Sequence, residues 1–139
     1  MEICCKSVKL LTNLEVLQLI NSKLESKKKI RSQQTLLYTC SKYLKSKSPC
    51  GTQTADSISA FSKAVKSFKL SKMELAMLIN HCPSTQVELS VLLPDVDSRF
   101  STTEAEHLLE LVAKHFPEGI AVSQTINSSG TATEGEDAR

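Results

Sequence analysis

Apolar residues recur at intervals of three and four positions along most of this chain, a period that predicts amphipathic helices. Six segments show this period, and the predicted helices span about 13–24, 33–45, 56–68, 72–80, 85–93 and 101–116. Four of them begin with Ser or Thr followed three residues later by Glu, the spacing of a capping box, at Thr12–Glu15, Ser71–Glu74, Thr85–Glu88 and Ser101–Glu104. The pattern predicts an all-α fold.

The stretch from Lys69 to Leu93 predicts two helices joined by a tight turn. Pro83 prevents the first helix from continuing, and Asn80 is expected to take the left-handed conformation that ends it. Apolar residues surround this fourth predicted helix on nearly all sides. We therefore expect it to be the buried centre of a helical bundle.

The connections are predicted from breaker and turn residues. A run containing Pro49 and Gly51 predicts a linker over residues 46–52, and a polar turn is expected over residues 95–100. From about Ile120 the apolar period ends and acidic, Gly, Ser and Thr residues dominate, so disorder is expected there. The predicted parts are an N-terminal segment of amphipathic helices and a basic loop (1–50), a helical bundle (51–117) and a disordered acidic tail (118–139).

Composition agrees with helices and adds a charge gradient. The 139 residues include only four glycines and four prolines, and aromatic residues, which strands favour, make up 4%. The net charge of +2 combines +7 over residues 1–50, zero over 51–100 and −5 over 101–139. Such asymmetry favours docking into a larger assembly or near a nucleic acid, although lysine-rich helix faces that are merely solvated would give the same count.

The five cysteines have no disulfide-framework or zinc spacing: Cys4, Cys5, Cys40, Cys50 and Cys82. Small buried thiols in a reducing, intracellular compartment fit them best. No signal peptide is predicted, and no segment approaches the roughly 20 apolar residues that cross a bilayer. We expect a soluble protein without membrane insertion.

Residues that could carry catalysis or bind a cofactor do not form a recognisable pattern. The four glycines are too far apart for a phosphate-binding loop. His81 and Cys82 have no partner pair at zinc spacing, and His107 and His115 lie eight residues apart. We therefore expect no catalytic residue, no cofactor and no metal site.

Five motifs in a fixed order carry a family resemblance. They are NLEVLQL at 13–19, KLSKME at 69–74, LINHCP at 78–83, VEL at 87–89 and the predicted helix from Ser101 to Val112. This set resembles the smaller stalk subunits of RNA polymerase III, also described as calcitonin gene-related peptide receptor component proteins, over residues 11–117. One departure is Cys82, which stands where the family often has a basic residue.

The resemblance implies a non-catalytic subunit with an HRDC-like helical bundle. Its implied partner is a larger stalk subunit with an oligonucleotide-binding fold, and the heterodimer would recruit initiation factors to genes for transfer RNA and other small RNAs in the nucleus. Contact with nucleic acid would then be indirect. The alternatives are the equivalent subunit of RNA polymerase II, a free nucleic-acid-binding module, and an intracellular accessory protein of a peptide-hormone receptor.

Two sets of residues are the candidates for contacts. The apolar stripe of the first predicted helix, Leu14, Val16, Leu17 and Ile20, is expected to face the partner subunit, unless it packs on the chain's own bundle. The cations of the basic loop, Lys27, Lys28, Lys29 and Arg31, are expected to contact nucleic acid or an acidic partner, unless the loop is simply solvated.

Overall fold

A computed structural model describes residues 8–129. Over this range the chain forms eight α-helices and no strand. The helices are α1 (Asn13–Glu25), α2 (Arg31–Lys47), α3 (Ala55–Ala64), α4 (Lys72–His81), α5 (Gln86–Leu92), α6 (Val96–Arg99), α7 (Thr102–His115) and α8 (Pro117–Ser129). Two short 3-10 turns, η1 (Pro49–Thr52) and η2 (Lys66–Phe68), complete it, and the predicted all-α class is confirmed.

The four predicted capping boxes begin α1, α4, α5 and α7. In each of them the Ser or Thr side chain accepts the backbone N–H of the Glu, and the carboxylate accepts the N–H of the capping residue. Helix α3 begins at a fifth box, in which Thr54 pairs with Ser57 instead of a Glu. The sequence offers Asp56 or Ser57 as the cap of this helix and about Phe68 as its end; the cap is instead Thr54, and the helix ends at Ala64 before η2.

The main core lies where α3, α4, α5 and α7 meet. Its fully buried side chains include Phe61, Leu78, Leu89 and Leu108. Helix α4 contributes Ala76, Leu78 and Ile79, but Met73 on its other side is 64% exposed. The fourth helix is thus less central than its composition predicts, because one apolar side is left uncovered by the described residues.

A second, smaller core joins α1 and α2 to this bundle. Leu14 and Leu17 of α1 pack around Cys50 of η1, with Leu44 and Ile58 against them. The predicted linker over residues 46–52 is corrected: residues 46 and 47 end α2, and η1, with Pro49 and Cys50 buried, contacts α1, α2, α4 and α8. The predicted divisions at residues 50 and 117 stay predictions.

The turn between α4 and α5 differs from the prediction in one residue. Asn80 remains helical, and Cys82 takes the left-handed conformation, with φ of 47°. Pro83 disfavours the right-handed helical conformation at the residue before it, which places the end of α4 at Cys82. The side chain of Asn80 is used elsewhere, at the start of α1.

Two predicted irregular segments are helical. The residues expected to form a polar turn at 95–100 contain α6, because Val96 is buried in the main core while Asp95 turns the chain with φ of 53°. The disorder expected from Ile120 is wrong as far as Ser129, since α8 packs on η1 and α7. The rest of the predicted tail, residues 130–139, lies outside the described residues.

Candidate partner-binding surface

The apolar stripe predicted to face a partner is largely inside this chain. Leu14, Leu17 and Ile20 are each no more than 7% exposed, and only Val16 borders an open groove. The alternative, that the stripe packs on the chain's own bundle, describes Leu14 and Leu17, which lie in the second core. Their part in partner binding stays a prediction, and any effect of the three buried residues on a partner must be indirect.

An apolar groove runs beside the start of α1. One wall is the extended segment that precedes the helix, and the other is the start of α4. Leu10 is 48% exposed and Met73 64% exposed, and both line the groove together with Val8, Leu11 and Val16. We call this surface the N-terminal groove. Exposed apolar side chains that share one concave surface are typical of a protein interaction site.

A second apolar surface lies on α2. The sequence predicts that the apolar residues of this helix share one side. The residues that face the rest of the chain are Ser41, which is buried, and Leu44, which packs against the second core. Leu36 and Tyr43 are exposed and lie seven residues apart, two turns along the same flank, with Cys40 between them. Leu36, Cys40 and Tyr43 form what we call the α2 apolar stripe.

A groove between α5 and α8 exposes apolar side chains as well. Val87 and Val91 lie one turn apart on the outer side of α5, and Val91 is 81% exposed. Asn127 of α8 and Glu88 close the groove through a hydrogen bond of 3.1 Å. Because α8 provides one wall, this groove depends on a helix that the sequence does not predict.

The predicted basic loop is exposed. Lys27, Lys28 and Lys29 lie in the connection between α1 and α2, and Arg31 is the first residue of α2. That helix has no side-chain cap and no acidic residue in its first turn, so its free N–H groups add to the positive potential. The structure brings the four candidate cations together at one end of α2.

The turn residues His81 and Cys82 do not form a reactive site. Burial raises the pKa of the Cys82 thiol to about 11, so it stays protonated at neutral pH. Its sulfur lies 3.4 Å from Gln53 Nε2 and 3.4 Å from the carbonyl of Ile79. A basic side chain could not occupy this buried position without loss of its charge or of this packing.

Four carboxylates of the described residues act in capping boxes, those of Glu15, Glu74, Glu88 and Glu104. The guanidinium of Arg99, 2.7 Å from Glu74, holds the pKa of that carboxyl below its usual value. Within residues 8–129 there is no group of three or more His, Cys, Asp or Glu side chains that could hold a metal, and no helix long and apolar enough to cross a membrane.

The exposed residues of the N-terminal groove and the α2 apolar stripe are not predicted from the sequence. Periodicity marks Leu36 and Tyr43 as apolar, but it does not say which of two adjacent flanks is covered. Leu10 and Met73 lie 63 positions apart and meet only in the folded chain. Their juxtaposition does not follow from local spacing.

Taken together, the described residues form an all-helical fold with exposed apolar and basic surfaces. The family model for RNA polymerase Rpb4 matches residues 10–116, most of the chain. This chain belongs to the RNA polymerase Rpb4 family, whose members are accessory, non-catalytic subunits that pair with a second stalk subunit within the polymerase.

Proposed function

We propose that the chain is the smaller stalk subunit of RNA polymerase III, acting in the nucleus. The family match supports a polymerase stalk subunit. The assignment to polymerase III rests on the ordered motifs from NLEVLQL at 13–19 to the helix that begins at Ser101. Through the stalk, the chain would support recruitment of initiation factors and transcription of genes for transfer RNA and other small RNAs.

The larger stalk subunit docks on the N-terminal groove and the α2 apolar stripe. The observation that carries this proposal is the exposure of Leu10 and Met73 in a groove that no described residue covers. Covering such side chains removes apolar area from water at about 25 cal/mol per Å² and would favour a permanent partner. The stripe lies on a helix that packs on α1, beside which the groove runs, so we infer that one partner contacts both.

Affinity purification of the tagged chain tests the polymerase assignment. Mass spectrometry should recover the largest subunit of polymerase III and an oligonucleotide-binding-fold subunit in stoichiometric amounts. Recovery of the largest subunit of polymerase II instead would favour the second candidate, the equivalent stalk subunit of that enzyme. A chain that purifies alone from cells would refute both.

Substitutions in the groove test where the partner docks. The double variant Leu10→Asp with Met73→Asp should lose the larger stalk subunit and keep its thermal unfolding midpoint, because both side chains are exposed. The matched control, Val87→Asp with Val91→Asp, places the same charges on exposed positions of α5 and should keep the partner. Equal retention by both variants would locate the interface elsewhere.

Leu17→Asp changes a buried residue of α1 and contrasts with the substitutions at exposed positions of the groove. Its side chain is 6% exposed, so an aspartate there would leave an unpaired charge in the second core. We expect a loss of more than about 3 kcal/mol of stability, and loss of the partner only as a consequence of unfolding. The accessory role at a peptide-hormone receptor rests on the resemblance alone, and we do not propose it.

A further inference from the structure

The connection between α1 and α2 places a serine, Ser32, directly after a run of cations. Four of the five residues before it are basic, namely Lys27, Lys28, Lys29 and Arg31. These four side chains and Ser32 itself are all exposed. The sequence has no acidic residue between Glu25 and Asp56, so no carboxylate near in the sequence offsets these charges. One large class of protein kinases selects serines that follow such cations, above all a cation three positions earlier, because acidic side chains of the kinase pair with them.

Ser32 is better placed for such a kinase than the other hydroxyls that follow a cation at this spacing. Four more Ser or Thr residues have a Lys or Arg three positions earlier, namely Thr12, Ser26, Ser48 and Thr102. Thr12 and Ser48 are buried. The cation that precedes Thr102 is Arg99, which is paired with Glu74 at 2.7 Å. Ser26 directly follows an acidic residue, Glu25, which opposes the same recognition.

The segment around Ser32 can take the extended conformation in which kinases bind their substrates. Residues 28–30 are not helical, and Ile30 is already extended, with φ of −102° and ψ of 122°. Ser32 is the second residue of α2, so only the first turn of the helix has to open. That turn has no side-chain cap, and the side chains of residues 31–33 are all exposed, so its opening uncovers no core.

We propose that Ser32 is a phosphorylation site for a kinase that selects cations before the serine, and that the phosphate then caps α2. The hydroxyl oxygen of Ser32 attacks the terminal phosphorus of ATP, and the bond from that phosphorus to the ADP oxygen breaks. The hydroxyl proton passes to the base of the kinase, and the products are phosphoserine and ADP. Neither the modification nor the cap requires a polymerase partner.

The surroundings of Ser32 favour the phosphorylated form of the helix. The modification adds a charge of about −1.5 to −2 at the positive end of α2, whose first turn has no acidic residue. The phosphate oxygens can accept backbone N–H groups that have no partner within the helix. Gln34 donates its backbone N–H to the carbonyl of Ile30 at 2.8 Å, and this bond should open less often once the phosphate is present.

A kinase assay on the full chain tests the modification. The catalytic domain of protein kinase C, a kinase that selects cations before the serine, should transfer phosphate from ATP to Ser32, as located by mass spectrometry. Ser32→Ala should remove most of the incorporated phosphate, and Lys28→Gln with Lys29→Gln should slow the modification of Ser32 by about 10-fold or more. The matched control, Lys63→Gln with Lys66→Gln, removes two exposed lysines elsewhere and should leave that rate unchanged.

The chain from cells should carry the same modification. Mass spectrometry of the tagged chain, purified with phosphatase inhibitors, should find phosphate on Ser32. A chain that carries none in cells would overturn the proposal. So would phosphate that protein kinase C places on Ser26 instead, or equal rates for the Lys28–Lys29 variant and its control.

Amide hydrogen exchange tests the cap. Phosphorylation should slow exchange at residues 34–36 by about 2- to 10-fold, because the phosphate holds the first turn closed. Exchange in α7 should not change, and Ser32→Ala treated with the kinase should exchange like the untreated chain. Phosphorylated chain whose residues 34–36 exchange at the original rate would refute the cap.

Discussion

Asn80 links the two cores through one hydrogen bond. Its side-chain oxygen accepts the backbone N–H of Asn13 at 2.8 Å. Asn13 is the first residue of α1, where a backbone N–H has no partner within the helix. A residue near the end of α4 therefore completes the cap of α1, 67 positions earlier in the chain. The side chain of Asn80 thus caps another helix, while α4 itself ends at Cys82, the residue before Pro83.

Removing this acceptor should destabilise the fold. Asn80→Ala leaves the half-buried N–H of Asn13 unpaired, and we expect a loss of about 1 kcal/mol in urea unfolding. Asn80→Asp keeps an acceptor oxygen and adds a negative charge near the positive end of α1, so it should lose less than Asn80→Ala at neutral pH. If the two variants unfold at the same urea concentration, the hydrogen bond does not contribute as described.

At the residue scale, the sequence predicts what depends on near neighbours. The capping boxes were predictable because both partners lie three positions apart on one helix. The pairing of Asn13 with Asn80, and of Gln53 with the carbonyl of Ile79, depends on the tertiary fold. No local pattern distinguishes these polar side chains from solvated ones.

The cap of helix α5 contains hydrogen bonds beyond those of its capping box. Its carboxylate, Glu88, accepts the backbone N–H groups of Ser84 and Thr85, the Ser84 hydroxyl and the side-chain amide of Asn127. Burial disfavours the charged form, but these hydrogen bonds outweigh it and hold the pKa of Glu88 below its usual value of 4.5. The ionised form therefore stabilises the start of α5.

This lowered pKa predicts a pH dependence. The stabilisation is present above the usual pKa of 4.5, and it is lost as the pH falls below that value and through the lowered folded-state pKa. Glu88→Gln keeps a capping-box side chain without a titrating group, so thermal unfolding between neutral pH and pH of about 3 should show a smaller loss of stability.

The control for this experiment is Glu106→Gln, at an exposed position of α7. It should leave the slope of stability against pH close to that of the wild-type chain. A Glu88→Gln variant that loses stability with acid as steeply as the wild type would show that the cap of α5 does not carry the effect. The remaining acid sensitivity includes Glu74, whose pKa is lowered by Arg99.

Helix α8 is the element that the sequence does not predict. Pro117 and Gly119 are typical stop signals, but proline is also favoured at the first position of a helix. Gly119 lets α8 lie close to Cys82 and η1, because a Cβ there would lie 3.0 Å from the sulfur of Cys82 and 3.6 Å from Cβ of Pro49. The helix buries few apolar residues, so its periodicity is weak and its position is set by tertiary contacts.

Across the whole molecule, α8 and η1 join the two cores. Ser123 of α8 donates to the carbonyl of His81 at 2.8 Å, and Gln124 donates to the Ser84 hydroxyl at 3.3 Å. On its other side α8 contacts η1, which in turn holds α1 and α2. The match to the family model ends at residue 116, so this connection is made by residues beyond the matched region.

Shortening the chain tests whether α8 couples the cores. A chain that ends at Phe116 uncovers the apolar surface beneath Gly119 and Ile120, and we expect it to lose about 2 kcal/mol of stability, the order for exposing one or two large side chains. Amide hydrogen exchange in α1 and α2 should accelerate as well, because α8 no longer supports η1.

A chain that ends at Ser129 is the matched control for that shortening. It keeps the whole of α8, so exchange in α1 and α2 should match that of the full chain. Faster exchange confined to the end of α7 in the shorter chain would mean that α8 covers its neighbour without supporting the second core. Since the N-terminal groove is built on that core, exchange in α1 also reports how firmly the proposed docking surface is held.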